Sequence, residues 1–146
     1  MTGHGCTSEH HRARSITTGI RVLLVDDHPL VRATLIEVLS DEDDLTVVGE
    51  CEDGSQVLEA TARLRPDVVL MDLSMPVMNG LAATQALRAA QPEPRIVVLT
   101  GEGPTARRKV AAAGAHALLP KDARADALLR CLRAVVDGCG CCPHCL

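Results

Sequence analysis

The chain has 146 residues, a formal net charge of −4, and no Phe, Tyr or Trp. This length is enough for one compact domain with a sizeable core, which has to be built from aliphatic side chains. Stacking of nucleic-acid bases on aromatic rings is excluded, and the acidic balance gives no general reason to expect DNA binding. No apolar stretch approaches the ~20 residues that span a bilayer, and the polar N-terminus lacks the apolar centre of a signal peptide. A cytoplasmic protein without membrane contact is therefore expected.

From Ile20 onward, short apolar runs alternate five times with helical stretches. The predicted strands are residues 21–25, 46–50, 67–71, 95–99 and 116–119. The predicted helices are residues 29–40, 54–64, 80–90, 105–113 and 123–137. Because parallel strands need right-handed crossovers, the alternation predicts an α/β fold with a doubly wound five-stranded parallel sheet. The expected order is the flavodoxin-like 2-1-3-4-5, which brings strands 1 and 3 together.

Local signals support several of these elements. Pro29 suits the first turn of the first helix, Asn79 and Gly80 form a capping pair, and Gly114 is typical of a helix C-terminus. The last helix has the clearest periodicity, with apolar residues at Ala125, Leu128, Leu129, Leu132, Val135 and Val136. Its other face carries the charged side chains Arg124, Asp126, Arg130 and Arg133. His116 lies at the fifth strand without a visible partner.

We expect a disordered N-terminal tail over residues 1–19, a single domain over 20–137, and a Cys-rich tail over 138–146. The tail crowds Cys139, Cys141, Cys142 and Cys145 with His144. A dithiol redox site is disfavoured, since such chemistry uses a cysteine at a helix N-terminus and only Leu146 follows. A disordered tail with reduced thiols is the first expectation, and metal binding between chains remains open. Cys51 and Cys131 are expected in the core.

Polar residues follow four of the predicted strands. They are Asp26 with Asp27, then Asp72, then Thr100, and finally Lys121, one residue beyond its strand. In an open parallel sheet, function collects at the carboxyl ends of the strands, so these side chains are expected to meet in one crevice. Each aspartate alone is readily explained as a cap or loop residue. The ordered set of acid pair, acid, hydroxyl and lysine instead indicates a site for Mg²⁺ and a phosphoryl group.

Within that interpretation Asp72 is the nucleophile, attacking a phosphoryl group in line while Mg²⁺ neutralises charge. Lys121 pairs with a phosphoryl oxygen as a point charge, and the Thr100 hydroxyl donates to another. Backbone N–H groups near Ser74 and Gly101 complete the cradle.

Three segments resemble receiver domains of two-component response regulators of the NarL/FixJ type: residues 25–32, 66–80 and 114–123. The resemblance covers residues 20–137. It implies that Asp72 accepts phosphate from a sensor histidine kinase. It also implies that Asp26, Asp27, Asp72 and the backbone carbonyl of Ser74 bind Mg²⁺, with Thr100 and Lys121 as a switch pair. The implied partners are that kinase, a downstream protein and a second copy through the face of helix 4, strand 5 and helix 5. Beyond its own phosphorylation and dephosphorylation, no enzymatic activity is expected.

Three departures from the family are visible. Leu118 stands where a switch Tyr or Phe is usual, which predicts a smaller readout on the helix 4–strand 5–helix 5 face. The stretch from Thr100 to Gly114 looks one residue short, in the loop 101–104. Because the sequence stops where the family's linker would begin, we expect no C-terminal helix-turn-helix and no direct DNA binding, and the Arg107-Arg108-Lys109 run is interpreted as a solvated face.

Three alternatives stay open at this point. One is a pseudo-receiver with an uncoupled switch that serves as a protein-interaction module. The second is an aspartyl-phosphate phosphatase of the haloacid dehalogenase type. That family places a second acid two residues after its first-strand nucleophile, whereas here His28 lies two residues after Asp26. A flavodoxin is disfavoured because no Ser/Thr-Gly phosphate loop follows the first strand.

Overall fold

Five strands form one parallel sheet in the order β2-β1-β3-β4-β5. The strands are β1 (Ile20–Val25), β2 (Leu45–Cys51), β3 (Val68–Asp72), β4 (Arg95–Thr100) and β5 (Ala117–Pro120). The helices are α1 (Pro29–Ser40), α2 (Val57–Leu64), α3 (Gly80–Ala90), α4 (Ala106–Ala113) and α5 (Ala125–Val136). The predicted fold class and strand order are confirmed.

This computed structural model describes residues 19–73, 75, 78–91, 93–101, 105–138 and 145–146. The predicted N-terminal tail lies outside the described residues except for Gly19, and so do residues 139–144 of the Cys-rich tail. Across the ranges that are described, no helix combines the length and the apolar character needed to cross a membrane.

The core consists of two apolar layers, one on each face of the sheet. Side chains that alternate along each strand divide between the layers, as the pleat of a strand requires. On one face, strand residues such as Leu23, Met71 and Val98 pack against α2, α3 and α4. On the other face, residues such as Leu24 and Leu70 pack with α1 and α5. Strand β3 is buried along its whole length, as expected for a strand covered on both faces.

The helix signals work largely as predicted. Asn79 accepts a hydrogen bond from the Ala82 N–H at the start of α3, and Gly114 ends α4 with a φ of 106°. Several boundaries differ by one or two residues, and the largest difference is at α2, which begins only at Val57 because residues 54–56 form a 3₁₀ turn. The Asp53 carboxylate accepts from the Ser55 N–H and holds this turn.

Gly80, the first residue of α3, lies directly against the backbone that ends β3. A Cβ built at this position would clash with the Asp72 carbonyl oxygen and would come within 2.8 Å of the Leu73 Cα. Both contacts are with backbone, which cannot swing aside as a flexible side chain can. The Gly80 N–H also donates to the Leu73 carbonyl at 2.8 Å. The close approach of α3 therefore fixes the backbone that carries Asp72.

Gly80→Ala is expected to lower the free energy of unfolding by about 2–3 kcal/mol, because the added methyl group overpacks a rigid backbone contact. Gly101→Ala is the matched control, since a Cβ there meets no atom within 4 Å. It should change stability by less than about 1 kcal/mol. Urea unfolding followed by far-ultraviolet circular dichroism measures both, because the chain has no aromatic residue to report by fluorescence. Equal effects of the two substitutions would contradict the close-approach argument.

His116 has a definite partner, contrary to the expectation from sequence. The ring Nδ1 of His116 accepts a hydrogen bond from the backbone N–H of Ile96 at 3.0 Å. The backbone N–H of His116 donates to the Ile96 carbonyl at 2.8 Å. Burial lowers the pKa of His116 to about 4, and the neighbouring Arg88 and Arg95 act in the same direction. A neutral imidazole thus sets where β5 starts against β4.

The stability of the fold should fall as His116 gains a proton. The unfolded chain binds that proton near pH 6.5, whereas the folded chain resists it down to about pH 4. Acidification across this window therefore favours unfolding, by about 1–2 kcal/mol after allowance for the partial exposure of the ring. His116→Asn, which cannot titrate, should lose less stability between pH 7 and pH 4.5 in urea unfolding. A His116 imidazole that titrates near 6.5 in NMR spectra would contradict this account.

The expectation of a disordered C-terminal tail is wrong for residues 145–146. Cys145 is buried and forms an antiparallel bridge with Ala117 of β5, and the Leu146 N–H donates to the His116 carbonyl at 3.0 Å. Cys51 and Cys131 are buried in the core, as predicted.

Candidate functional site

Three carboxylates converge at the carboxyl ends of β1 and β3. Asp26 and Asp72 are only 2% and 1% exposed, and Asp27 is partly buried beside them. One ligand atom from each of the three carboxylates, together with one from His28, falls within 4.8 Å of all the others. The pairing of β1 with β3, which ends at Val25 and Met71, brings these side chains together. The structure therefore brings Asp26, Asp27 and Asp72 together in one crevice, as the sequence predicted.

Lys121 brings a positive charge to this cluster from the end of β5. Its Nζ lies 3.1 Å from Asp72 Oδ1 and 3.9 Å from Asp26 Oδ2. The Lys121 N–H donates to the Thr100 carbonyl at 2.9 Å, which anchors the residue to the neighbouring strand. With about a third of its side chain exposed, Lys121 closes the cluster on one side and still reaches solvent.

Thr100 ends β4, where it is 3% exposed and pairs in register with Pro120 of β5. It therefore lies at the same edge of the sheet as Lys121. Gly101 follows it and is exposed, with open space where a side chain would be. Ser74, whose backbone carbonyl is a predicted ligand, lies outside the described residues, as do residues 102–104 of the unusual loop.

His28 belongs to the acidic cluster, a role that the sequence did not suggest. It precedes α1, as predicted, but makes no side-chain cap there. The ring Nδ1 of His28 is 3.0 Å from Oδ1 of both Asp26 and Asp27. The backbone N–H of His28 donates to Asp26 Oδ1 at 2.8 Å. The imidazole is therefore positioned to hold the two carboxylates in a fixed relation. Its position directly after an acid pair was the signal available in the sequence.

Arg32, one turn into α1, clamps the loop that carries the acid pair. Its Nη1 donates to the Asp26 carbonyl and its Nε donates to Glu50 Oε1 at 2.9 Å. The Asp26 N–H in turn donates to the Cys51 carbonyl at 3.0 Å. The backbone of Asp26 is thus tied to α1 and to the end of β2. The preorganisation of the carboxylates depends on these residues, which sequence reasoning did not single out.

The donor set fits a hard divalent cation. Asp26 Oδ2 and Asp27 Oδ1 are buried and, within the described ranges, accept no hydrogen bond, although Lys121 and His28 lie near them. Among the described residues of this cluster, three carboxylates face the single ammonium of Lys121, so negative charge is in excess. Buried carboxylate oxygens are costly unless compensated, and carboxylates are ligands that Mg²⁺ prefers.

A family model described as "Response regulator receiver domain" matches residues 22–133. The chain belongs to this family, which functions in two-component phosphorelay signalling. Its resemblance to receivers of the NarL/FixJ type is thereby confirmed at the level of the family. The haloacid dehalogenase and flavodoxin alternatives are not favoured.

Two curated relatives place the chain in the same family. The response regulator GacA of Pseudomonas aeruginosa is 40% identical over 121 residues, which cover 82% of this chain and 56% of GacA. The transcriptional regulatory protein LiaR of Bacillus subtilis is 39% identical over 120 residues, which cover 82% of this chain and 57% of LiaR. The chain thus spans a little over half the length of these relatives.

Solved structures agree. The response regulator domain of Thermotoga maritima CheB has a TM-score of 0.76 at 29% identity, with 82% of this chain and 97% of that chain covered. The signal receiver domain of the regulator NarL from Mycobacterium tuberculosis has a TM-score of 0.73 at 32% identity, with 80% and 98% covered.

Proposed function

We propose that this receiver domain accepts one phosphoryl group on Asp72 from the phosphohistidine of a sensor kinase. The observation that carries the proposal is the placement of the buried Asp72 carboxylate, with Oδ1 3.1 Å from Lys121 Nζ and two further carboxylates beside it. One oxygen of Asp72 attacks phosphorus in line as the P–N bond to the kinase histidine breaks. The product is an acyl phosphate, and the domain itself is the molecule that is changed.

Asp26, Asp27 and Asp72 are the side chains that would hold Mg²⁺, with the carbonyl of Ser74 as a further ligand implied by the resemblance. A bound Mg²⁺ would neutralise charge on the phosphoryl oxygens. Arg32 and His28 keep the two acidic residues after β1 in place for that ligand set. Because the carboxylates already converge, little side-chain order remains to be gained on binding.

Lys121 and Thr100 are proposed to hold the transferred group. Lys121 exchanges its contact with the Asp72 carboxylate for one with a phosphoryl oxygen, which it meets as a point charge. The Thr100 hydroxyl donates to a second oxygen, from the end of the strand next to β3. These two residues link the site to β4 and β5, so that phosphorylation is felt on the face formed by α4, β5 and α5.

A downstream protein, or a second copy of the chain, is proposed to read that face in the cytoplasm. Leu118, buried against α4, stands at the position of the usual switch aromatic and has less area to move. The exposed Arg107, Arg108 and Lys109 make the outside of α4 basic. We propose that these basic side chains contact a partner protein rather than DNA, because the chain as a whole has an acidic net charge. The alternative of a pseudo-receiver with an uncoupled switch is not favoured by the match to the receiver family.

The test is incubation of the full chain with acetyl phosphate and Mg²⁺, followed by intact mass measurement. The expected result is a gain of one phosphoryl mass that requires Mg²⁺ and is lost on exposure to hydroxylamine, which cleaves acyl phosphates. A chain that folds, binds Mg²⁺ and gains no phosphoryl group would instead be the pseudo-receiver.

A further inference from the structure

The exposed margin of β5 is covered by the chain's own last two residues. The strand order places β5 at one edge of the sheet, where backbone N–H and C=O groups are open to another strand. Residues 145–146, here called the C-terminal strap, lie along that edge. Cys145 bridges Ala117 in antiparallel sense, and the Leu146 N–H donates to the His116 carbonyl at 3.0 Å.

The two side chains of the strap divide between the faces of the sheet as those of an added strand do. Cys145 is 5% exposed and belongs to the apolar layer that contains Ala117, Leu119 and residues of α5. Leu146 packs against the opposite layer, which contains Leu118 and residues of α4. Because successive strand residues point to opposite faces, the edge offers a small apolar site on the α5 side and an aliphatic site on the α4 side.

Helix α4 adds a polar contact to the strap. Arg107 Nη2 donates to the Cys145 carbonyl at 2.8 Å, and the rest of the Arg107 side chain is exposed. The strap is therefore held by backbone pairing, by two side-chain contacts and by one charge-assisted hydrogen bond. Arg108, the next residue of α4 after Arg107, is also exposed but makes no contact with the strap in the described part of the chain.

We propose that the β5 edge is a strand-addition surface and that residues 145–146 occupy it as an intramolecular plug. The β5 edge binds an extended segment in which a small apolar residue precedes an aliphatic one. Strand addition derives affinity from main-chain hydrogen bonds and specificity from alternate side chains. A tethered segment acts at an effective concentration in the millimolar range, so a free segment competes only when the plug is released. A partner that adds a strand to this proposed output face has to displace the plug.

The first experiment measures amide hydrogen exchange at Leu146 by NMR. In the unmodified protein the Leu146 amide should exchange at least about fivefold more slowly than in Arg107→Ala, which loses the hydrogen bond to Cys145. Arg108→Ala, the same change on the next residue of α4, should leave the rate unaltered. Equal rates in the unmodified protein and in Arg107→Ala would overturn the plug.

The second experiment opens the edge. Cys145→Asp puts a charge into an apolar layer and should release the strap, whereas Cys145→Ala keeps a small apolar side chain and should not. A synthetic peptide with the sequence of residues 139–146, at about 1 mM, should then shift the amides of residues 116–119 in Cys145→Asp alone. Absence of saturable shifts in folded Cys145→Asp overturns the proposal. A dimer of that variant in sedimentation velocity would replace the segment with a second copy as the occupant.

The inference deepens the proposed role of the α4, β5 and α5 face but does not depend on phosphoryl transfer. Both experiments use the full chain without phosphodonor or Mg²⁺. Failure of acetyl phosphate labelling would leave their outcome unchanged, and failure of peptide binding would leave the assignment of Asp72 unchanged.

Discussion

Asp72→Asn is expected to abolish the phosphoryl adduct formed with acetyl phosphate and Mg²⁺. The amide has the shape of the carboxylate but lacks its charge and its nucleophilic oxygen, so the covalent step has no acceptor. The loss should be complete within the detection of intact mass spectrometry, because no other residue of the cluster combines burial with the 3.1 Å contact to Lys121. Asp72→Ala should give the same result.

Asp122→Asn is the matched control for this experiment. Asp122 follows Lys121 directly but is exposed, so the substitution removes the same charge close to the site without touching the acceptor. It should be labelled as the unmodified protein is. An adduct that persists in Asp72→Asn and maps to Asp26 by peptide mass analysis would reassign the acceptor within the cluster.

The fold was predictable because its elements depend on local patterns. The apolar runs of β3 and β4, the cap formed by Asn79, and the terminating Gly114 are each visible within a few residues of sequence. Right-handed crossovers then indicated a doubly wound sheet, and the flavodoxin-like class supplied the strand order. The largest displacement of a helix start, from residue 54 to Val57, results from a turn held by Asp53 in the same segment.

Contacts between distant residues were not predictable from these patterns. The sequence placed Arg133 only on the charged face of the last helix, where it makes a two-pronged contact with Asp44 at 2.8 Å and a further one with Glu42 at 2.7 Å. The hydrogen bond to Arg133 lowers the pKa of Asp44. A charged residue on the polar side of a helix gives no sign of a partner some ninety positions away. The burial of Cys145 against Ala117 is a second contact of this kind.

The candidate site divides in the same way. Asp26, Asp27, Asp72, Thr100 and Lys121 were predicted because chain order and strand ends determine where they meet. The residues that hold them in place, His28 and Arg32, were missed as site residues. Their contribution depends on the exact path of the loop after β1 and on the end of β2, where Glu50 lies. Strand-end patterns therefore identify the residues that are proposed to react, whereas the contacts that support them are visible only in the folded structure.

Asp27→Asn is expected to make the protein more stable without Mg²⁺ and less stable than the unmodified protein when Mg²⁺ is saturating. Three carboxylates within 4.8 Å repel one another, and removing one charge relieves that repulsion by about 1 kcal/mol at a partly exposed position. The amide has the shape of the carboxylate and keeps an oxygen beside the His28 ring. The same substitution removes a charged ligand and should weaken Mg²⁺ binding by at least about tenfold.

The two effects separate in urea unfolding followed by circular dichroism. A ligand that binds only the folded state adds about 2.7 kcal/mol at one hundred times its dissociation constant, so Mg²⁺ should raise the stability of the unmodified protein far more than that of Asp27→Asn. Asp43→Asn, an exposed carboxylate before β2 and away from the cluster, is the charge control and should keep the full Mg²⁺ response. If Asp27→Asn gained as much stability from Mg²⁺ as Asp43→Asn, Asp27 would not be a ligand; if it were no more stable than the unmodified protein without Mg²⁺, the repulsion argument would fail.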